Sequence, residues 1–300
     1  MSAPVLRFAP SPNGELHLGH ALSALLNYEW TRAMHGRLLL RIEDIDQGRS
    51  RAEFVSGIFA DLAWLGIAWE EPVTFQSQRL PAYRAAALRL EAMGLLYPSF
   101  ATRSEIEAAA AAAGAVRDPD GAPLYPGLYR DRDAGLLAQR RARGEPFALR
   151  IDMEKALAVA RDLLHGTPLR FTELAEDGTP QDVEARPERW GDAVIVRKDT
   201  PASYHLAVVV DDALQGVTHV VRGRDLQAAT DLHRLLQVLL GLPTPSYHHH
   251  RLIVDAAGRK LAKSAGDTSL RSLREMGRTP ADVRRLVGLP LEGGGRRATS

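Results

Sequence analysis

Val5-Leu-Arg-Phe-Ala-Pro-Ser-Pro-Asn-Gly-Glu-Leu-His-Leu-Gly-His20 is the stretch from which the rest of the chain can be read. Val5 to Phe8 predicts a short buried strand, and Pro10-Ser-Pro-Asn-Gly14 is a dense turn signal at its end. The spacing of Leu22, Leu25, Leu26 and Trp30 predicts a helix from about Gly19 to His35, with Gly36 as its stop. Leu38 to Ile42 is an apolar run suited to a strand buried on both faces. Strand, turn, helix and strand in this order make one βαβ unit, whose right-handed crossover sets the two strands parallel. At the turn into its helix, backbone N–H groups and the helix dipole favour an anion. His17 and His20, three apart, fall on one side of that turn and could donate to phosphate oxygens, while Gly19 admits a flat ring such as adenine. A bare His-x-x-His also fits a capped helix with incidental histidines; the ordered elements around it favour the anion site. A metal reading is weaker, because two His ligands need a third.

Composition narrows the class. Three hundred residues, 45% hydrophobic and 25% charged, suit a folded globular chain with a substantial core. The 38 basic and 37 acidic residues leave a net charge of +1, so a polyanion must be met by a local patch. The absence of cysteine excludes disulfides, thiolate zinc sites and cysteine nucleophiles. No basic region leads into a long apolar run at the N-terminus, and no apolar segment approaches the roughly 20 residues of a membrane helix, so a cytoplasmic protein with no membrane partner is expected.

Further along, a helix is expected from about Arg51 to Leu65, ended by Gly66. An Ala-rich helix opened by a Ser104-x-x-Glu107 capping box follows, then a Pro/Gly/Tyr/Arg-rich loop around Tyr125 to Arg132. Strands are expected at Phe147–Ile151, Val194–Arg197, His205–Val210 and Leu252–Val254, a strong helix from about Leu226 to Leu240, and short helices from about Ser269 to Val287. The divisions read from these patterns are 1–97, first half of the main domain; 98–190, an insert; 191–255, its second half; 256–291, a basic loop and C-terminal helices; and 292–300, a disordered tail.

The second constellation is Lys260-Leu-Ala-Lys-Ser264. Only four of the 38 basic residues are Lys, and two stand here. A Lys ammonium is a compact charge that can follow a phosphate, where Arg is a planar fork for fixed partners. With HLGH at the other end, this pentamer resembles the paired HIGH and KMSKS signatures of class I aminoacyl-tRNA synthetases. Arg7-Phe-Ala-Pro-Ser11, Arg41-Ile-Glu-Asp-Ile-Asp46, Tyr204-His-Leu-Ala-Val-Val-Val-Asp-Asp212 and Thr218-His-Val-Val-Arg-Gly-Arg-Asp225 narrow the resemblance to the glutamyl branch, over about residues 6–264.

The resemblance implies an α/β fold: a Rossmann-like catalytic core with an inserted α/β subdomain and a short helical C-terminal appendage. It implies a ligase that activates L-glutamate with ATP, Mg²⁺ entering with the nucleotide. ATP would be held by His17, Gly19, His20, Lys260, Lys263 and Ser264, with His17, His20 and Lys263 catalytic. Glutamate would be held by Arg7, Ala9, Ser11, Glu43, Tyr204 and Arg222. Two Arg forks for two carboxylates and Glu43 for the ammonium suit that substrate. Asp44, Asp46, Asp211 and Asp212 fit structural or supporting roles better, with the alternative that one of them helps position Mg²⁺ on the ATP phosphates. The 36 residues after Ser264 are too few for a separate anticodon-binding domain, which resembles the truncated members that attach glutamate, without needing tRNA for activation, to the queuosine base in the anticodon of tRNA(Asp). The alternatives are a glutamyl- or glutaminyl-tRNA synthetase core charging a 3′ end, and a synthetase-like binding protein without catalysis. A monomer is expected.

Three departures from the family stand out. The zinc ligands of many relatives fall on Ser99, Ala101, Tyr125 and Tyr129, where only the tyrosine at 125 survives; no zinc and an insert held by packing are expected. Ala262 replaces the family's Ser in the pentamer, removing a hydroxyl but neither ammonium. Tyr247-His-His-His-Arg251 matches the family's Tyr-x-His at His249, and His248 and His250 are read as a solvated strand end. From Arg271 to Ser300, seven Arg face three acids, a local sum of +4 that suits either a tRNA backbone or a solvated charged helix.

Overall fold

The first strand, β1 (Val5–Phe8), is buried throughout, and the turn after it feeds α1 (Leu18–Ala33). The helix returns the chain to β2 (Arg37–Ile42), which pairs parallel to β1 with Val5 opposite Arg37 and Phe8 opposite Leu40. A second crossover, α2 (Ala52–Trp64), leads to β3 (Glu70–Phe75), parallel to the outer side of β2. The expected βαβ unit is therefore present, one helix longer. These observations come from a computed structural model that describes residues 3–253 and 268–291. The chain divides into two units, 1–78 with 217–225 and 247–300, and 79–216 with 226–246.

The second unit contains α3 (Leu80–Ala92), β4 (Leu96–Ser99), α4 (Arg103–Ala112), α5 (Ala134–Ala142), β5 (Ala148–Ile151), α6 (Met153–Leu163), β6 (Arg170–Leu174), β7 (Pro180–Glu184), β8 (Val194–Val196) and α7 (Tyr204–Leu214). β5 lies between β4 and β8, antiparallel to both, and β6 and β7 form an antiparallel hairpin. The chain then supplies β9 (His219–Gly223) to the first unit, α8 (Ala229–Leu240) to the second, and β10 (Ser246–His250), α9 (Leu270–Glu275) and α10 (Pro280–Leu286). β9 and β10 are hydrogen-bonded neighbours.

The core of the first unit joins Leu6 and Phe8 of β1, Leu38, Leu40 and Ile42 of β2, Leu22 and Leu25 of α1, and Ile58 and Leu62 of α2. Leu270, Leu273, Val283 and Val287 of the C-terminal helices close the same cluster. Each such buried side chain contributes roughly 2 kcal/mol. Buried Asn27 of α1 donates from Nδ2 to the Ser23 carbonyl at 2.8 Å and to the Val221 carbonyl at 2.9 Å, fastening the helix to β9.

Several sequence expectations need correction. His205–Val210 is not a strand but the body of α7, where Ser203 caps the start and every residue from Leu206 to Asp212 is buried. A run buried all round carries no alternation, and its β-branched valines favour the wrong answer. The last strand is Ser246–His250; Leu252 and Ile253 follow it without regular structure, and Val254 lies outside the described residues. The capping box of α4 is Thr102 with Glu105, while Glu107 pairs with Arg103 at 2.9 Å. α1 ends before Gly36: His35 carries the positive φ of 50°, and a Cβ at Gly36 would stand 2.5 Å from the Pro4 carbonyl. His248 and His250 are buried, not solvated, with His248 stacked on Trp30 at 4.6 Å. Alternation holds, but β10 has no solvent face to give them. The tail 292–300 and the pentamer lie outside the described residues.

Candidate active site

His17 is the N-cap of α1 with an extended backbone, and its Nδ1 accepts the Gly19 N–H at 3.1 Å. His20, one turn on, uses its own Nδ1 to accept the His17 N–H at 3.1 Å. Each imidazole thus accepts on Nδ1, which only a neutral ring protonated at Nε2 can do. The reciprocal caps satisfy two helix-start amides and fix both tautomers, so each ring keeps Nε2–H as its donor. The ring centroids are 3.9 Å apart. Gly19 is needed for this geometry: a Cβ there would sit 2.9 Å from His17 Cε1.

The parallel strands bring a second group together. Arg7 is buried in β1, with Ala9 and Ser11 following in the turn. The Glu43 N–H, just past β2, donates to the Pro10 carbonyl at 3.0 Å, and the Arg51 N–H donates to the Pro12 carbonyl at 3.1 Å. Those two bonds set Glu43 beside the Ala9–Ser11 turn. Arg41, fully buried, places Nη2 3.5 Å from Glu43 Oε1. β9 starts beside β1, where the Thr218 N–H donates to the Val5 carbonyl at 2.9 Å, so Arg7 and Arg222 lie on adjoining strands. Arg222 is buried, and its Nε donates to His249 Nε2 at 3.2 Å.

Tyr204, the first residue of α7, belongs to the second unit, where its ring centroid lies 5.6 Å from that of His233. Lys260, Lys263 and Ser264, with Ala262, lie outside the described residues. The chain rejoins them at Thr268, and Ser269 bridges to His17 while the Leu270 N–H donates to the Leu16 carbonyl at 2.8 Å. The aspartates hold structure. Asp44 accepts the Ser77 N–H at 2.8 Å and its hydroxyl at 2.6 Å, Asp46 pairs with Arg49 at 2.7 Å, and buried Asp211 takes the Tyr83 hydroxyl at 2.7 Å and Arg79 at 2.8 Å. Arg41, Tyr247 and His249 were given no role from sequence. Their signal is positional: Arg41 stands two residues before Glu43, and residues 247 and 249 share one face of a strand.

At the positions of the relatives' zinc ligands, Ser99 Oγ and Tyr125 Oη form a 2.9 Å hydrogen bond, and Tyr129 Oη accepts from Arg140 at 2.8 Å. Ala101 packs with Tyr97 and Tyr125. The Lys198 ammonium donates to the Phe100 and Ala101 carbonyls at 3.0 and 2.9 Å. The Arg150 guanidinium lies 3.8 Å over the Tyr125 ring, and burial pushes its pKa down. Among the described residues no group of three or more His, Asp or Glu is placed to hold a metal. Among the described residues, four of the C-terminal arginines are matched within the chain: Arg271 with Glu275, Arg274 with Asp61, Arg284 with Glu29 and Arg285 with Asp282.

No described helix is long and apolar enough to cross a membrane. The model of the class I tRNA synthetase (E and Q) catalytic domain matches residues 5–290. A glutamyl-Q tRNA(Asp) synthetase of Rhodobacter capsulatus is 47% identical, covering 95% of this chain and 100% of that protein. Glutamate–tRNA ligase 2 of a Methylobacterium is 40% identical, over 96% of this chain and 60% of its own length. The solved glutamate-tRNA synthetase of Elizabethkingia anophelis shares the fold with a TM-score of 0.75 at 24% identity, covering 95% of this chain and 61% of that one. With its neutral capping histidines at a strand–helix turn and a match along nearly its whole length, the chain belongs to the class I tRNA synthetases of the E and Q type.

Proposed function

We propose that this chain activates L-glutamate with ATP, without tRNA, and transfers it to the queuosine base in the anticodon of tRNA(Asp). The observation that carries the reading is the 47% identity with a glutamyl-Q tRNA(Asp) synthetase over all of that protein's length. The site chemistry supports it. An oxygen of the glutamate α-carboxylate attacks the α-phosphorus of Mg-ATP, the bond to the β-phosphate oxygen breaks, and pyrophosphate leaves with that electron pair. No protein nucleophile is needed, so positioning and charge stabilisation supply the rate.

His17 and His20, neutral and protonated at Nε2, donate to phosphate oxygens at the positive end of α1. Lys260, Lys263 and Ser264 serve the same phosphates, a role supported by the bridge of Ser269 to His17. Arg7 and Arg222 bind carboxylates, Glu43 the ammonium, and Ala9 and Ser11 line the pocket; Tyr204 is the remaining glutamate ligand in this reading. A hydroxyl of the modified base then attacks the carbonyl of the mixed anhydride and AMP departs.

The alternative, charging of a tRNA 3′ end, is favoured by the 40% identity with a glutamate–tRNA ligase. ATP–pyrophosphate exchange with glutamate, with and without tRNA, followed by charging of tRNA from which the 3′-terminal adenosine has been removed, separates the two. Exchange without tRNA and stable attachment to the truncated tRNA is the expected result. Loss of charging on removal of the 3′ adenosine assigns the chain to the 3′ end, and absence of exchange leaves a binding protein.

A further inference from the structure

We propose that His249 is the positioning residue of the glutamate site, holding the Arg222 guanidinium in place through its Nε. The inference rests on the reading of Arg222 as a carboxylate ligand and adds what makes that ligand directional.

A guanidinium offers two edges for a bidentate partner, one formed by Nε with one Nη and the other by the two Nη groups. In Arg222 the Nε is committed to His249 Nε2 at 3.2 Å, and both residues are buried. That tie occupies the Nε edge and stops rotation about the side-chain axis. Tyr247 adds a second restraint, its ring centroid 5.4 Å from the Arg222 guanidinium carbon. Tyr247 and His249 stand on the same face of β10 with rings 3° from parallel. On the opposite face, His248 stacks on Trp30, and His250 Nδ1 lies 2.8 Å from the Arg251 carbonyl. The strand that carries His249 is thus anchored from its other side.

The contact also dictates the state of the ring. His249 must present a lone pair at Nε2 and carry its proton at Nδ1, the reverse of the tautomer at His17 and His20. An apolar side chain of similar size would fill the space without supplying an acceptor, whereas a glutamine carbonyl can replace it.

The test compares His249→Leu and His249→Gln in ATP–pyrophosphate exchange, with glutamate and ATP varied separately. His249→Leu is expected to raise the KM for glutamate by about tenfold while leaving the KM for ATP within about twofold, and His249→Gln to restore the glutamate KM to within about threefold of the parent. The proposal is overturned if His249→Leu leaves the glutamate KM unchanged, or if both variants raise the two KM values together, as loss of packing alone would do. Nitrogen NMR of the parent protein supplies a readout that needs no activity. The expected signature is an unprotonated His249 Nε2 and an Arg222 Nε–H protected from solvent exchange; a protonated Nε2 overturns the tie. A parent protein that binds no glutamate but shows this signature defeats the proposed function and leaves Arg222 held for another anion.

Discussion

Two strand–turn–helix passages in this chain use the same local device and produce opposite electrostatics. Between β1 and α1 the reciprocal cap is made by His17 and His20; between β4 and α4 it is made by Thr102 and Glu105. Glu105 Oε2 takes the Thr102 N–H at 2.7 Å and its hydroxyl at 2.8 Å, and these bonds hold its carboxyl below the usual range. A carboxylate at that place closes the helix start and neutralises the positive end of the helix dipole, so that a second anion there would be repelled. Neutral imidazoles close the first helix equally well, and each carries its N–H at Nε2. In the proposed reading, what separates a structural helix start from a phosphate site is therefore the charge of the capping side chains and the Nε2–H donor of each ring.

The largest expected effect comes from making the first passage resemble the second. His20→Glu can still accept the His17 N–H but places a negative charge at the start of α1. Exchange activity should fall by about 1000-fold while the thermal midpoint moves little; unchanged activity would sink the assignment of the site. Gly19→Ala follows. Its Cβ would press on His17 Cε1, and kcat/KM should drop by roughly 10- to 100-fold as the ring leaves its cap. In the second passage, Tyr125→Phe removes the Ser99 partner and should cost about 1 kcal/mol of stability with exchange kinetics preserved. Treatment with EDTA should leave the thermal midpoint of the parent where it was, and a drop would reveal a structural metal.

The smallest effect sharpens the electrostatic contrast through pH. Asp61 of α2 has its carboxyl pushed up to about 6, chiefly by burial, with Arg274 pulling it down and Glu15 pushing it further up. The folded chain therefore retains a proton that the unfolded chain releases near pH 4. Stability from this group is greatest at the acid end, declines as pH rises through about 6, and is level above. Urea midpoints measured from pH 4.5 to 7 should show that decline in the parent and lose it in Asp61→Asn.

Much of the first unit was legible because its signals are local. The strand at 5–8, the turn at 10–14, the helix from about Gly19 and the parallel strand at 38–42 follow from turn residues and apolar spacing, and the structure places them within a residue or two. α7 was not legible. A short apolar run, Leu206–Val210 with three valines, fits a buried strand or a buried helix, and only the neighbours decide: Tyr83 and Arg79 reach Asp211 where the helix puts it. The expected Ser104–Glu107 cap missed by two residues because Thr102 supplies an equally good spacing.

Composition and spacings shorter than a few turns were enough for the family, the opening strand–turn–helix–strand, and the residue types offered to phosphate and carboxylate. How those residues are used was settled by folding. Which nitrogen of His17 and His20 carries the proton depends on the backbone amides that the helix start brings into reach, while the partner of the Arg222 Nε and whether three consecutive histidines meet water or protein depend on groups far away in the chain. A proton on a ring nitrogen goes where the other nitrogen's partner allows it. The turn at Gly19, the strand at His249 and the Trp30 ring, brought together by folding, supply those partners.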